Sequence, residues 1–419
     1  MSYIENVQVR AADSPSIDAF GRWRISNVVN LYSNKSLYSN SRNNDLMQSW
    51  TNGTGANTAY LSDESATQLN VGTANGEFSI RSSGYFPYIP GKSQSVTLTG
   101  VLAPQKANVV SRIGYFDDED GMFFELDENN LKVVIRSSTS GTVVEDAVIQ
   151  DNWNIDKLDG TGKSAVTLDV TKAQIFSIDF QWLGVGRVRF NFNIGGVCRC
   201  AHEFNHANLV DTVYCRTPNL PARYEIRNTG VSASATSMKE ICLVIASESG
   251  SFSHAYNFGV GNGSTLRVIG DQTRTPILAV RLKSTFQSKV NRMSYIAQEF
   301  GVYATLKDTY FELVQAANPS SITATWNDVL TDESSAEYST DISAVTAEKE
   351  YPLQQTYVPA GKANKEATSQ LNALSQLSVG NILQQNIEGT VSDLFIVYAT
   401  PLHADGAKVG ASLFWLEIV

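Results

Sequence analysis

Residues 174–194 read QIFSIDFQWLGVGRVRFNFNI, and the alternation along this stretch decides the fold. Phe176, Ile178, Phe180 and Trp182 fall on one side of a first strand and Ser177, Asp179 and Gln181 on the other, the two-residue period of a half-buried strand. Val188, Phe190, Phe192 and Ile194 repeat the pattern against Arg187, Arg189, Asn191 and Asn193, and Gly184-Val185-Gly186 supplies the reversal. A hairpin that keeps all eight apolar side chains on one face sets Trp182 opposite Val188 and Phe180 opposite Phe190. A slip by one residue would carry four aromatic rings into water. Burial of each large apolar side chain stabilises by roughly 1.5–3 kcal/mol, so this face requires a second sheet against it. A β-sandwich is the simplest architecture.

The rest of the chain suits that architecture. Its 419 residues predict two or three domains. Charged residues make up 18%, below the usual ~25%, with Asn, Ser, Thr and Gly in their place, a mix that favours short strands and turns. A net charge of −10 argues against a nucleic-acid partner, which needs a basic face. The four cysteines form no secreted disulfide framework, and Met1-Ser2-Tyr3-Ile4 is not a basic-then-apolar signal, so folding in a cytoplasm is expected. No apolar run approaches the ~18 residues of a membrane helix.

Residues 1–52 read as an extended N-terminal arm, with apolar anchors at Ile17, Phe20, Trp23, Ile25, Val28, Leu31 and Tyr38 but no persistent period. Residues 53–250 carry strand candidates at 67–71, 78–82, 95–102, 109–116, 122–126, 131–136, 143–149, 166–170, 197–204, 223–226 and 240–246, a spacing that predicts a jelly-roll or concanavalin-like sandwich. A Ser/Gly-rich junction, SESGSFSHAYNFGVGNGST at 247–265, marks the boundary to a second sandwich over 251–419. One short helix is expected there, from Ala363, Ala367, Leu371, Leu374 and Leu377 at spacings of three and four.

Four local patterns suggest chemistry. Gly160-Thr161-Gly162-Lys163-Ser164 imitates the end of a phosphate loop, but Lys157 stands where that motif needs glycine and no βαβ unit surrounds it. Cys198, Cys200 and His202 would project from one strand face toward His206, a weak zinc pattern that more often marks small core residues. Asp117-Asp118-Glu119-Asp120 offers oxygen ligands without the alternate spacing of a calcium loop, so a solvated turn is expected. On the hairpin's polar face, Asp179, Gln181, Arg189 and Asn191 are candidate glycan contacts, with a solvated or arm-covered face as the plainer reading. Asp179 with Arg189 as a diagonal neighbour suggests a structural ion pair. There is no Gly-x-Ser-x-Gly or His-Glu-x-x-His, and the four histidines are sparse, so no enzyme, metal or cofactor is expected.

SIDAFGRWRIS at 16–26, RIGYFDDEDGMFFEL at 112–126, the segment 152–192, HEFNHAN at 202–208, VRLKSTFQSKVNRM at 280–293 and ASLFWLEIV at 411–419 together resemble a family of tailed-bacteriophage virion structural proteins. That family carries an N-terminal D-A-F-G-R signature and a concanavalin or laminin-G type sandwich. The resemblance implies an all-β particle component, located in the virion after assembly in the host cytoplasm, displayed as a head decoration, neck or tail-fibre protein. It further implies contacts with other virion subunits and a homo-oligomer, a trimer or higher ring. Phe20, Arg22, Trp23 and Arg24 are the expected assembly anchor, combining aromatic burial with bidentate partners for carboxylates. The alternative is a host-recognition protein that binds a surface glycan.

Overall fold

The computed structural model describes residues 17–20, 28–38, 47–82, 84–248, 255–270, 272–359, 366–370, 382–386 and 389–418. It divides into two compact units, Met1–Ser82 with Tyr88–Gly250, and Ser83–Pro87 with Ser251–Val419. The described residues are all-β apart from a single 3-10 turn at Gln150–Asn152. Strands are numbered in chain order.

The first unit is a sandwich of two antiparallel sheets. One sheet runs β13 (Val197–Phe204), β12 (Val188–Ile194), β11 (Gln174–Phe180), β6 (Gln94–Val101), β15 (Thr236–Ser247), β4 (Ala66–Val71) and β3 (Asn57–Leu61), with β1 (Val29–Lys35) also on β15. The other runs β10 (Val144–Ile149), β9 (Leu131–Ser137), β8 (Gly121–Leu126), β7 (Val109–Phe116), β14 (Ala222–Asn228), β5 (Glu77–Ser82) and β2 (Met47–Asn52). Period-two patterning accounts for the inner faces. Phe190, Ile178, Val96, Ile245 and Tyr32 stand in one row across five strands and are all buried. Phe124 on the facing sheet meets this layer, with ring centroids 5.0 Å from Phe176, 5.2 Å from Phe190 and 5.0 Å from Phe192.

The hairpin register differs from the expected one by two residues. Phe180, not Trp182, lies opposite Val188, and Ile178, not Phe180, lies opposite Phe190. Trp182 leaves the ladder to donate its Nε1 hydrogen to the Cys215 carbonyl at 3.0 Å and to pack edge-on to Tyr88. The reversal closes through Gly186 N to Trp182 O at 2.8 Å, with Leu183 and Gly184 at positive φ. Because the slip is by two, every side chain keeps its face and the sandwich is unaffected.

Where residues 1–52 are described, they are more integral than an arm. β1 pairs with β15 and β2 with β5, so both complete sheets of the first unit. The expected strand at 166–170 is a loop bearing one bridge, Asp159 to Thr167.

The end of β1 is tied down by a buried acid. The Ser36 hydroxyl, beside Thr67, donates to the Glu240 carboxyl, and among the described residues Glu240 Oε1 has no hydrogen-bond partner. Burial pushes the Glu240 pKa up, against the lowering effect of the Ser36 and Thr67 hydrogen bonds. An acid with a raised folded-state pKa binds more protons folded than unfolded, so its contribution is full at low pH and is lost as pH rises toward that folded value. Glu240→Gln is therefore expected to raise the melting temperature of the first unit by a few degrees at pH 8 and by less at pH 4, measured by calorimetry. An equal shift at both pH values would refute this account.

The second unit also packs two sheets. One runs β16 (Ala255–Gly261), β29 (Ala407–Ile418), β21 (Ser294–Thr305) and β26 (Glu366–Gln370), with β17 (Arg267–Ile269) on β29 and β27 (Ile382–Leu383) on β21. The other runs β23 (Asn327–Asp328), β24 (Ala336–Ser339), β18 (Thr275–Leu282), β28 (Leu394–Pro401), β22 (Thr309–Thr323) and β25 (Ala344–Val358). A short hairpin joins β19 (Thr285–Phe286) to β20 (Lys289–Val290). Trp415, Tyr295, Phe300, Phe311 and Phe395 fill the space between the sheets. The helix expected over 363–377 is not formed where the structure describes it: Glu366–Gln370 is a strand bonded to β21. The remainder of that segment lies outside the described residues.

Candidate functional site

Polar residues of the first sandwich gather on the outward sides of both sheets. On the hairpin, Asp179 stands directly opposite Arg189 rather than diagonal to it. Arg189 Nη2 donates to Asp179 Oδ2 at 2.9 Å and to the Ile17 carbonyl at 2.8 Å, while Ser93 Oγ donates to Asp179 Oδ1 at 3.2 Å. Arg187 donates from Nε to Ala19 O at 3.1 Å and from Nη2 to Asp18 O at 3.3 Å. Asp18 Oδ1 in turn accepts the Phe20 amide at 2.9 Å, a local turn that explains why an aspartate opens this segment. The two arginines thus clasp the backbone of 17–19.

This clasp changes the standing of the hairpin residues. Asp179, Arg189 and Asn191 are buried, Asn191 donating to Ser177 O at 3.3 Å, and Gln181 is half-buried. The hydrogen bonds of Asp179, Arg189 and Asn191 are directed into the protein, which turns these three away from the glycan contact expected of them. Of the expected assembly anchor, Phe20 is half-buried. Arg22, Trp23 and Arg24 lie outside the described residues.

The outward side of the other sheet holds a group that motif searching missed. Cross-strand register places Trp50, Ser79, Glu225, Arg112, Glu125 and Lys132 in one row over six strands. Arg112 donates from Nη1 to Glu225 Oε1 at 2.9 Å and from Nε to Glu125 Oε2 at 2.8 Å, and Lys132 Nζ reaches Glu125 Oε1 at 3.0 Å. Arg223 pairs with Glu225 at 2.7 Å and Asp118 at 2.6 Å, and Arg136 with Glu145 at 2.7 Å. Phe116 and Phe123 lie beneath the guanidinium groups, with Arg136 4.9 Å and Arg112 5.1 Å from the Phe123 centroid. A Cβ on Gly114 would fall 2.5 Å from the Phe123 backbone, so only glycine lets that ring lie down.

Arg112, Arg223, Glu125 and Glu225 are all buried, and alternating charge lets each offset its neighbours. Burial alone would raise Glu225, but Arg223 and Arg112 hold it at about 2. It is ionised at neutral pH and cannot donate a proton there. Glu77 behaves in the opposite sense, pushed up by burial and by the Glu225 charge. The signal for this ladder was present in RIGYF, MFFEL, LKVVIRS and ARYEIRN, where charges alternate with apolar residues. It required knowing which strands are neighbours.

The remaining motifs have structural roles. Leu158 and Ser164 amides bind the Asp156 carboxylate at 3.0 and 2.7 Å, so the Gly160–Ser164 segment wraps a side chain of its own instead of a phosphate. In the acidic loop, Asp117 accepts the Glu119 and Asp120 amides, Asp118 pairs with Arg223, and Glu119 pairs with Arg216. Asp120 is fully buried and accepts Ser138 N at 3.1 Å, Ser138 Oγ at 2.9 Å and Arg216 N at 3.1 Å. A bulge in the β12–β13 ladder sets His202 against inward-facing Phe190 but Cys200 against outward-facing Asn191, which separates the cysteines from the histidine. His206 stacks on Tyr214 with centroids 4.2 Å apart, and burial pushes both His202 and His206 below their ordinary pKa. Among the described residues no three His, Cys, Asp or Glu side chains are grouped to hold a metal.

No family model matches this chain, and no curated protein does. Solved structures that align with part of this chain include a conserved carbohydrate esterase from the Shiga toxin-encoding bacteriophage phi24B, at 10% identity and TM-score 0.35 over 53% of this chain and 100% of that one. A legume lectin-like domain from Entamoeba histolytica aligns at 9% identity and TM-score 0.32, covering 52% and 98%. A glycoside hydrolase family protein from Mycobacterium thermorestibile aligns at 8% and 0.34, covering 51% and 99%. The architecture of the described residues is all-β, built of antiparallel sheets. The expectation that the chain is not an enzyme is withdrawn, since the solved structures that align with part of it include a carbohydrate esterase and a glycoside hydrolase family protein.

Proposed function

We propose that this chain is a structural component of a bacteriophage particle, joined to neighbouring subunits through its N-terminal segment. The observation that carries the reading is the clasp of residues 17–19 by Arg187 and Arg189. It binds the first part of the D-A-F-G-R signature into the sandwich, and Arg22, Trp23 and Arg24 follow Phe20 by only two to four positions. A leader whose backbone carbonyls are bonded to the body can transmit load from an attachment point to the sandwich. The resemblance in sequence to virion structural proteins points the same way, and assembly as a trimer or higher ring inside the host cytoplasm is part of the proposal.

The experiment is particle incorporation. Removal of the whole of 1–50 is unsuitable, since it would take out β1 and most of β2 and expose the edges they cover. The triple variant Arg22→Ala, Trp23→Ala, Arg24→Ala is expected to melt at the wild-type temperature and to enter particles at least about ten-fold less, consistent with the loss of an aromatic and arginine hot spot. Undiminished incorporation of this variant would defeat the reading.

A further inference from the structure

The second unit carries an exposed aromatic platform. Tyr357 on the edge strand β25 stands opposite Tyr310 on β22, with ring centroids 4.8 Å apart, and remains 67% exposed. Thr400 on β28 continues that row, and the next row along the strands is Tyr398, Glu312 and Gln355. Arg274 lies flat on Tyr398 with its guanidinium carbon 3.5 Å from the ring centroid. Two carboxylates lock it there: Nε to Glu312 at 2.7 Å and Nη1 to Glu350 at 2.8 Å, with the Tyr398 hydroxyl donating to Glu350 at 3.0 Å. Gln355, in the same row, is exposed.

We propose that this surface binds the pyranose rings of a neutral glycan. The two tyrosine rings, tilted 41° to one another, present an apolar surface that suits the C–H face of a sugar ring, and burying such rings costs little side-chain entropy. The guanidinium, the amide of Gln355 and the carboxylate oxygens offer donors and acceptors together, as vicinal hydroxyls require. The charge balance selects among ligands. Arg274 faces two carboxylates, leaving the group with an excess negative charge on a chain of net charge −10, which disfavours sialylated, uronic or phosphorylated ligands. The site is independent of the N-terminal attachment proposed above and stands or falls separately.

The test uses the full chain in affinity electrophoresis against mannan, dextran, galactan and xylan, with hyaluronan as an anionic control. Retardation is expected with at least one neutral polymer and not with hyaluronan. Tyr357→Ala should weaken that binding about ten-fold or more, while Tyr357→Phe stays within about two-fold, as ring stacking requires. The melting temperature of both variants should match the wild type, because Tyr357 is largely exposed. Binding to none of the neutral polymers, binding to hyaluronan alone, or full binding by Tyr357→Ala would each overturn the assignment.

Discussion

Replacing Arg112 by methionine is expected to destabilise the first sandwich by about 3–5 kcal/mol, the usual cost of removing one partner from a buried ion pair. The guanidinium is 5% exposed and lies between Glu225 and Glu125, 3% and 7% exposed, so its loss leaves Glu225 to Arg223 and Glu125 to Lys132 alone, with negative charge in excess at a buried site. Methionine replaces most of the volume but none of the charge. The same reasoning predicts recovery: adding Glu125→Gln to Arg112→Met should restore part of the loss, because the penalty belongs to the carboxylate charge left in excess and Lys132, the other partner of Glu125, is partly exposed. Denaturant unfolding of the first unit's transition measures both. A loss under about 1 kcal/mol for the single variant would mean that the carboxylates find water or other partners.

The pH profile provides an internal check. Glu225 is held at about 2, below its ordinary 4.5, so its contribution is complete above the unfolded value and is lost as pH falls from 4.5 through 2. Arg112→Met removes one of the two main lowering charges, and the acid transition of the variant should therefore begin at higher pH than that of the wild type.

Phe124→Ala is the second large effect, at about 3–5 kcal/mol, typical of a buried phenylalanine. Its ring is fully buried and touches Phe176, Phe190 and Phe192, three rings of the hairpin that lie within about 5 Å of it. All three lose the same neighbour at once, and strands hydrogen-bonded on both sides cannot move in to fill the space. Phe124→Leu should recover roughly half of the loss. Equilibrium unfolding followed by tryptophan fluorescence reads the effect through Trp153, which packs 5.9 Å from Phe192. An alanine variant within about 1 kcal/mol of the wild type would indicate that the two sheets do not depend on this contact.

Much of the fold was legible where one face of a strand is buried. The strands at 109–116 and 197–204 occupy the predicted spans, since alternating residue types mark the two sides of a strand. The strand Ala344–Val358 was not seen, because it lies at a sheet edge with its residues alternating between exposed and half-buried, and A-V-T-A-E-K-E-Y carries too few apolar residues to declare a face. The first two strands of the chain were hidden similarly: in β2 only Met47 is buried, and nothing local shows that Trp50 meets Ser79.

The amino-acid sequence by itself determined the class of the molecule, since eight apolar side chains at a two-residue period in one hairpin can be kept from water only by a facing sheet. It also determined which residues share a face, and a two-residue error in register left that unchanged. Tertiary structure alone decided which faces meet solvent and which charges meet one another. Arg112 and Glu225 are 113 positions apart and become neighbours only through the order of strands in the sheet. Arg189 and Ile17, separated by 172, meet only because the leader returns across the hairpin. Periodicity is a property of a strand and its own two sides, whereas the pairing of distant polar groups depends on sheet order, which no local pattern encodes.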